Sequence, residues 1–401
     1  CVARGSCGEI CGNSKSAMRL NGLFFGFPAR SHTVPGLAVV RALIDRNVRI
    51  CYWSTPQFRS LIEDAGAEFA AYPADFEVLG TSTDVPGHVE RVLEITARHL
   101  PQLLAATEAK AASFVLFDSQ ALWGRIVGQE LAVPTIASIT TFALTRAMLQ
   151  LLSHGREGRL DGPGVLAGLA RLGRSDIRDY ADVLVPSADL KLIYTSRFFQ
   201  PGGRYFDSSH LFVGPLLEAR PRTGVKISVS GPRPLAYVTF GTIFTENVGL
   251  LRRIAGILSE AGWQVVVSLG DRNRAVPGDW PPNVEVHAFV DQMAMLSNAD
   301  LVVTHGGMST VSEALASGVP TIIVPHSVDQ HLVGRRAADL GAAMVVDDAS
   351  SVALWASTLG RLAAERPGFV AAAARVGDSF SDVVPVAEAV QKILDLARAK
   401  T

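Results

Sequence analysis

Short apolar runs, many of them β-branched, alternate along the chain with stretches whose apolar residues recur every three or four positions. In the first half the runs fall at 20–27, 48–53, 114–117, 134–138 and 190–194; in the second, at 235–240, 264–269, 284–287, 300–304 and 320–324. Runs that are apolar throughout predict parallel strands covered on both faces. Their alternation with helical patterns predicts doubly wound α/β domains. Segment 214–234, GPLLEARPRTGVKISVSGPRP, breaks the pattern and reads as a linker. It separates a domain at 18–213 from one at 235–384. The tail, 385–401, carries Val386, Val390, Ile393 and Leu394 at helical spacing, an amphipathic helix that needs a groove.

The halves echo each other. At 114–136 an apolar run ends at Asp118, a helical pattern follows, and Val133-Pro134-Thr135-Ile136 opens the next run. At 301–322 a run ends at Thr304-His305, a helical pattern follows, and Val319-Pro320-Thr321-Ile322 opens the next. Two similar domains are therefore expected. Ligands of such sheets bind at the carboxyl ends of the strands, where Asp118 and His305 both stand.

Length and composition narrow the function. A chain of 401 residues implies two or three domains. A net charge of −1, with no block of like charges, argues against nucleic acid or an anionic membrane as main partner. No apolar run reaches the ~18 residues a membrane span needs, so no stable membrane insertion is expected. Cys51 reads as a core thiol, while Cys1, Cys7 and Cys11 lack a fourth metal ligand nearby. Residues 1–17 read as a disordered leader or extension, because MRLNGLFFGF resembles a natural start and no apolar signal core precedes it. The body of the chain reads as cytoplasmic and reduced.

Polar residues at strand ends carry the candidate chemistry. In HGGMSTVSE, 305–313, glycines allow close backbone approach, and helix N-terminal amides suit phosphate oxygens. His305, Ser309 and Thr310 add polar groups, so the stretch reads as a diphosphate seat. Thr310-x-x-Glu313 equally fits a capping box, which would merely start a helix. Asp329-Gln330 follows the next strand, either to grip vicinal hydroxyls or as an exposed loop. His326 and His331 beside it lack a third metal ligand and read as solvated or as outer supports of a binding residue. His32, after the first run, reads as a general base at neutral pH or as an idle loop histidine. Asp118 ends another strand of that sheet and would fix the tautomer of His32. There is no G-x-x-x-x-G-K, G-x-G-x-x-G, G-x-S-x-G or Asp-x-Asp, so P-loop, dinucleotide, hydrolase-elbow and metal-bridged diphosphate readings lose support.

With these residues in view, the chain resembles the family 1 glycosyltransferases of the macrolide and natural-product branch. The likeness covers nearly all of 18–398. It is strongest over 285–345, with HAFVDQ at 287–292 and THGGMSTVSEALASGVPTIIVPHSVDQ at 304–330, and YVTFGTIF at 237–244 supports it. The resemblance implies a GT-B fold: two Rossmann-like doubly wound parallel-sheet domains facing a cleft, with the last helix crossing back to the N-terminal, acceptor-binding domain. It implies an inverting hexosyltransferase of natural-product or antibiotic biosynthesis. The donor would be a UDP-sugar such as UDP-glucose, or else a dTDP-sugar, with no cofactor and no metal required. The acceptor would be a hydrophobic small-molecule aglycone.

Roles follow by resemblance. His32 would be the base and Asp118 its partner. Phe289 would stack on the nucleotide base, Val290 and Gln292 would meet base and ribose, and Glu313 the ribose hydroxyls. Gly307, His305, Ser309 and Thr310 would hold the diphosphate, and Asp329 and Gln330 the sugar. Gly241 and Thr242 would line the donor site. Phe142, Met148 and Leu152 are candidates for the acceptor pocket. Two features depart from the family pattern: Asp291 stands where proline is common, and Thr304 precedes a single His305 where deoxysugar enzymes using dTDP often carry a His-His pair. The second favours a UDP-sugar. A nucleotide-sugar epimerase and a non-catalytic nucleotide-binding helper are the alternatives. Monomer and homodimer, and transfer to oxygen, nitrogen, sulfur or carbon, are left open by the sequence.

Overall fold

The computed structural model describes residues 19–81, 85–153, 162–217, 232–241, 248–270, 278–348 and 350–400. The expected leader, most of the expected linker and Thr242 lie outside them. Seven strands, β1 (Asn21–Phe25), β2 (Arg49–Ser54), β3 (Glu68–Ala71), β4 (Phe114–Asp118), β5 (Thr135–Ile139), β6 (Leu190–Ile193) and β7 (His210–Phe212), form one parallel sheet in the order β3-β2-β1-β4-β5-β6-β7. Six more, β8 (Leu235–Thr239), β9 (Gln264–Ser268), β10 (Val284–His287), β11 (Leu301–Thr304), β12 (Thr321–Ile323) and β13 (Ala343–Val345), form a second in the order β10-β9-β8-β11-β12-β13.

Each of the ten apolar runs in the sequence holds one of these strands. The three strands outside them, β3, β7 and β13, all lie at sheet edges. They are three or four residues long, and β3 (Glu-Phe-Ala-Ala) is half-exposed, so neither periodicity nor a buried run marks them. Strand order reverses between β1 and β4 and again between β8 and β11. Such switch points open a crevice at the carboxyl ends of the strands.

The first sheet is covered on both faces because its strands are apolar on both. Leu23 and Phe25 pack with Val115, Phe117 and Trp123 on one side. Phe24, Tyr52 and Leu116 pack on the other with Val40 and with Val390, Ile393 and Leu394 of the last helix, Val386–Ala399. Burying each of those three aliphatic side chains contributes about 1.5–3 kcal/mol, which fixes the last helix on the first sheet. The backbone N–H of Val384 also donates to Phe212 O at 2.8 Å. The long helix Val352–Ser379 covers one face of the second sheet through Trp355, Leu359 and Phe369. Where the halves meet, Phe142 and Phe199 share a core with Met308, Val311 and Leu315. No described helix is long and apolar enough to cross a membrane.

Candidate active site

One cleft runs between the two switch points. His32 and Thr140 line it from the first sheet; Gly241, Phe289, His305 and Asp329 are among its lining from the second.

His32 sits in the first turn of the helix Arg30–Ile44, which follows β1. Its Nδ1 lies 2.9 Å from Asp118 Oδ2 and 3.1 Å from Thr140 Oγ1. Nδ1 is thereby engaged, and Nε2 is the nitrogen left for a ligand. Asp118 closes β4 and is 1% exposed; its Oδ1 accepts the Gln120 N–H at 2.9 Å. Burial pushes the His32 pKa down, but the Asp118 carboxylate, by charge and by hydrogen bond, and the charge of Asp329 outweigh it. The imidazole is held above its ordinary value, as suits a base that must accept a proton.

His88 is a neighbour that the sequence did not mark. It lies in the helix Val85–Glu108, its ring 5.8 Å from that of Phe27, which is itself 5.0 Å from that of His32. Burial first, and the nearby His32 second among the lowering causes, bring its pKa to about 4. It is neutral at pH 7. A lone histidine in VPGHVERVL offers no pattern by which to find it.

Across the cleft, His305 follows β11. The helix Met308–Ala316 starts immediately beyond it, with Gly307 as N-cap. A Cβ on Gly307 would stand 2.7 Å from His305 Nε2, and one on Gly241 2.9 Å from its Cε1. The imidazole is seated between two glycine backbones, and a side chain at either would displace it. Nδ1 lies 3.2 Å from Thr304 Oγ1. Burial drives the His305 pKa to about 4 against the opposing pull of Asp329, so the ring is neutral at pH 7. The arrangement joins a neutral polar ring to a helix N-terminus with partial positive charge, a setting that favours an anion.

The capping-box expectation is corrected here. Thr310 lies inside the helix, not at its start, and Glu313 is 5% exposed in the next turn. Both face Gln292: its Nε2 donates to Glu313 Oε2 at 2.5 Å and to Thr310 Oγ1 at 3.3 Å, while its Oε1 accepts from Tyr237 OH at 3.2 Å. Asp291, the departure from proline, caps the helix Gln292–Leu296 by accepting the Ala294 N–H at 3.2 Å. Phe289 and Val290, just before it, line the same end of the cleft.

Asp329 and Gln330 belong to the first turn of the helix Val328–Asp339, not to an exposed loop. Gln330 is 4% exposed, and its Oε1 accepts the His326 N–H at 2.8 Å. Asp329 acts electrostatically on both His32 and His305, which places it where the two halves meet. His331 is exposed, but His326 is not simply solvated: its ring stands edge-on to Phe240 at 5.3 Å.

The expected acceptor residues fare differently. Phe142 does not line the cleft; it is 3% exposed, edge-on to Phe199 at 5.3 Å, because it is apolar and meets the apolar side of the helix Met308–Ala316. Met148 packs on the first domain's core. Leu152 lies beyond the side chains described. Among the described residues, no group of three or more His, Cys, Asp or Glu is placed to hold a metal.

Comparison with known proteins agrees with this geometry. Residues 252–396 match the model of the erythromycin biosynthesis protein CIII-like C-terminal domain. The chain is 28% identical over 329 residues to the NDP-glycosyltransferase YjiC of Bacillus licheniformis, covering 79% of this chain and 82% of that one. It is 29% identical over 340 residues to the demethyllactenocin mycarosyltransferase of Streptomyces fradiae, covering 79% and 73%. The solved structure of the kitacinnamycin glycosyltransferase superposes with a TM-score of 0.82 at 25% identity, over 94% of this chain and 99% of that one. Neither the epimerase nor the helper alternative gains support from these matches. With its two parallel-sheet domains, its cleft and these relatives, the chain has the GT-B fold and is similar to the family 1 glycosyltransferases of natural-product type.

Proposed function

We propose that the protein transfers a sugar, with inversion, from a nucleoside-diphosphate donor to a hydroxyl of a hydrophobic small molecule. A UDP-sugar such as UDP-glucose is the favoured donor. The observation that carries this reading is the opposition, within one cleft, of a carboxylate-paired histidine on the first sheet and a glycine-flanked helix N-terminus on the second. The relative from Bacillus licheniformis, named for NDP donors, supports the donor class, and the mycarosyltransferase supports a natural-product acceptor. The single His305 after Thr304 supports UDP over dTDP.

In this reading residues 235–384 bind the donor, 18–213 the acceptor, 214–234 link them, and 385–401 tie the end of the chain to the first domain. Phe289 stacks on the base, Val290 meets it through its backbone, and Gln292 and Glu313 take the ribose. Gly307, Ser309, Thr310 and His305 hold the diphosphate. Asp329 and Gln330 hold the sugar, with Gly241 and Thr242 alongside. His32 Nε2 takes the proton of the acceptor hydroxyl as that oxygen attacks the anomeric carbon. The bond to the diphosphate breaks with its electron pair moving to the leaving oxygen. The helix N-terminus and the neutral His305 ring stabilise the growing charge, an interaction stronger in the transition state than in the ground state. Asp118 stabilises the imidazolium. Attack opposite the leaving group inverts the centre.

The test is incubation with UDP-glucose, dTDP-glucose and panels of phenolic and macrolide acceptors, with products followed by mass. One hexose gained by an acceptor, with release of UDP, is the expected result. His32→Ala should lose transfer by on the order of 10²–10⁴-fold and still bind UDP. Undiminished transfer by His32→Ala would remove His32 from the mechanism, and failure to bind any nucleotide would overturn the donor assignment.

A further inference from the structure

The residues after β5 link the two sides of the cleft through Thr140, Phe142 and Ala143. Thr140 places Oγ1 3.1 Å from His32 Nδ1, the same nitrogen that meets Asp118. Two residues on, Phe142 is inserted into the core that holds Met308, Val311 and Leu315. Those three belong to the helix whose N-terminus lies across the cleft. Next, Ala143 is clamped by one buried side chain: its N–H donates to Gln200 Oε1 at 2.9 Å, and its carbonyl accepts from Gln200 Nε2 at 3.0 Å. Gln200 is 1% exposed, so both amide groups are spent on this segment in a place water does not reach. Arg336, from the second half, donates through Nε to Phe199 O at 2.9 Å and ties the neighbouring loop to the same junction.

We propose that Thr140 is a positioning residue for His32, and that residues 140–143 form a strut keying the imidazole to the helix Met308–Ala316. The inference rests on the base role given to His32 above. A ring held by one hydrogen bond can pivot about it. A ring whose Nδ1–H is shared between the Asp118 carboxylate and the Thr140 hydroxyl is fixed in plane and in tautomer, with Nε2 aimed at the acceptor. Because Phe142 packs on the donor-side helix and Gln200 stiffens the segment, the position of Thr140 depends on how the halves are packed. The other groups that act on His32, Asp329 and His88, lie outside the strut.

The experiment uses the full chain and the sugar-transfer assay, with UDP as the binding probe and thermal unfolding as the check on folding. Thr140→Val keeps the shape and removes the hydroxyl. It should lower kcat about tenfold, the worth of one well-placed hydrogen bond, and leave the dissociation constant for UDP unchanged. It should also move the acid limb of the kcat/KM profile to lower pH, because one partner of the imidazolium is gone. Thr140→Ser should recover most of the rate. Phe142→Leu, milder than alanine in a packed core, should lower kcat more than UDP affinity, and should combine with Thr140→Val less than additively, since both act on one ring. A wild-type rate and profile in Thr140→Val, or equal loss in Thr140→Ser, would overturn the positioning role. Full additivity with Phe142→Leu would overturn the strut. His32→Ala run in parallel separates the outcomes: if it retains transfer, it is the base assignment that has failed.

Discussion

Two equivalent places in the two sheets are used in opposite ways. In the first, Val115 pairs with Thr135 and its N–H donates to Pro134 O at 2.9 Å; in the second, Val302 pairs with Thr321 and its N–H donates to Pro320 O at 3.0 Å. Asp118 and His305 each stand three residues beyond those valines, each before a helix. The first unit supplies its own anion: the Asp118 carboxylate occupies the turn leading into the helix, accepting the Gln120 N–H and holding His32. The second carries no carboxylate at the corresponding place: glycine is the N-cap and a ring kept neutral by burial stands before it. One supersecondary unit therefore sits beside a histidine whose pKa is raised in the first sheet and beside one whose pKa is lowered in the second. The difference lies in which residue ends the strand and whether glycine follows it.

Breaking the first device should cost most. Asp118→Asn keeps shape but removes the charge that lifts His32, and kcat should fall by on the order of 10³. Burial, which lowers the His32 pKa, would then prevail. The ring would stay neutral to lower pH, so the acid limb should move down, while wild type should lose rate on acidification already above the ordinary histidine value near ~6.5. A pH-rate series reads this directly; an unmoved acid limb would separate Asp118 from the titration of His32.

The second device should yield less, and differently. His305→Ala should lose on the order of 10² in kcat, as for one polar group on a leaving anion, and should weaken UDP binding. Its acid limb should match wild type above pH 5, because a ring with a pKa of about 4 does not titrate there. Gly307→Ala sharpens the point. The added Cβ would stand 2.7 Å from Nε2, so the ring must move. Roughly tenfold weaker UDP binding is expected, with His305 still present, consistent with a packing cost of a kcal/mol or two. Calorimetric titration with UDP distinguishes this from a purely catalytic defect.

The sequence made the central strands legible because they are apolar on both faces, and the strand-end polar residues legible because little else interrupts such runs. The edge strands β3, β7 and β13 were not, since three or four residues are too few to carry a period. His32 and Asp118 could be placed on one sheet edge, but their contact depends on helix Arg30–Ile44 turning the ring toward β4, which no local pattern encodes. Phe142 was misassigned because apolar residues lining a cleft and apolar residues sealing a junction look alike in one dimension. Thr310 and Glu313 read as a cap until the helix start fell at Met308, turning both toward Gln292.

The smallest expected effect concerns that last group. Tyr237 is buried on β8, and its hydroxyl donates to Gln292 Oε1. That bond dictates which end of the amide faces Glu313: with the oxygen taken, Nε2 must be the group offered to the carboxylate and to Thr310. Burial pushes the phenol up to about 12, so it remains a donor across the working pH range. Tyr237→Phe removes the hydrogen bond to Gln292, of about 0.5–1.5 kcal/mol, together with those to Thr239 and Ser268, and frees the amide to turn. Nucleotide affinity should fall by a factor of about 2–10, with kcat unchanged, if the amide takes the ribose as proposed rather than meeting the reacting atoms. In the first half the strand-end side chain of Asp118 contacts His32 directly, with no amide between them. A fall in kcat equal to the fall in affinity would mean that ribose orientation is transmitted to the anomeric carbon, and the division of labour between the halves would be weaker than the geometry implies.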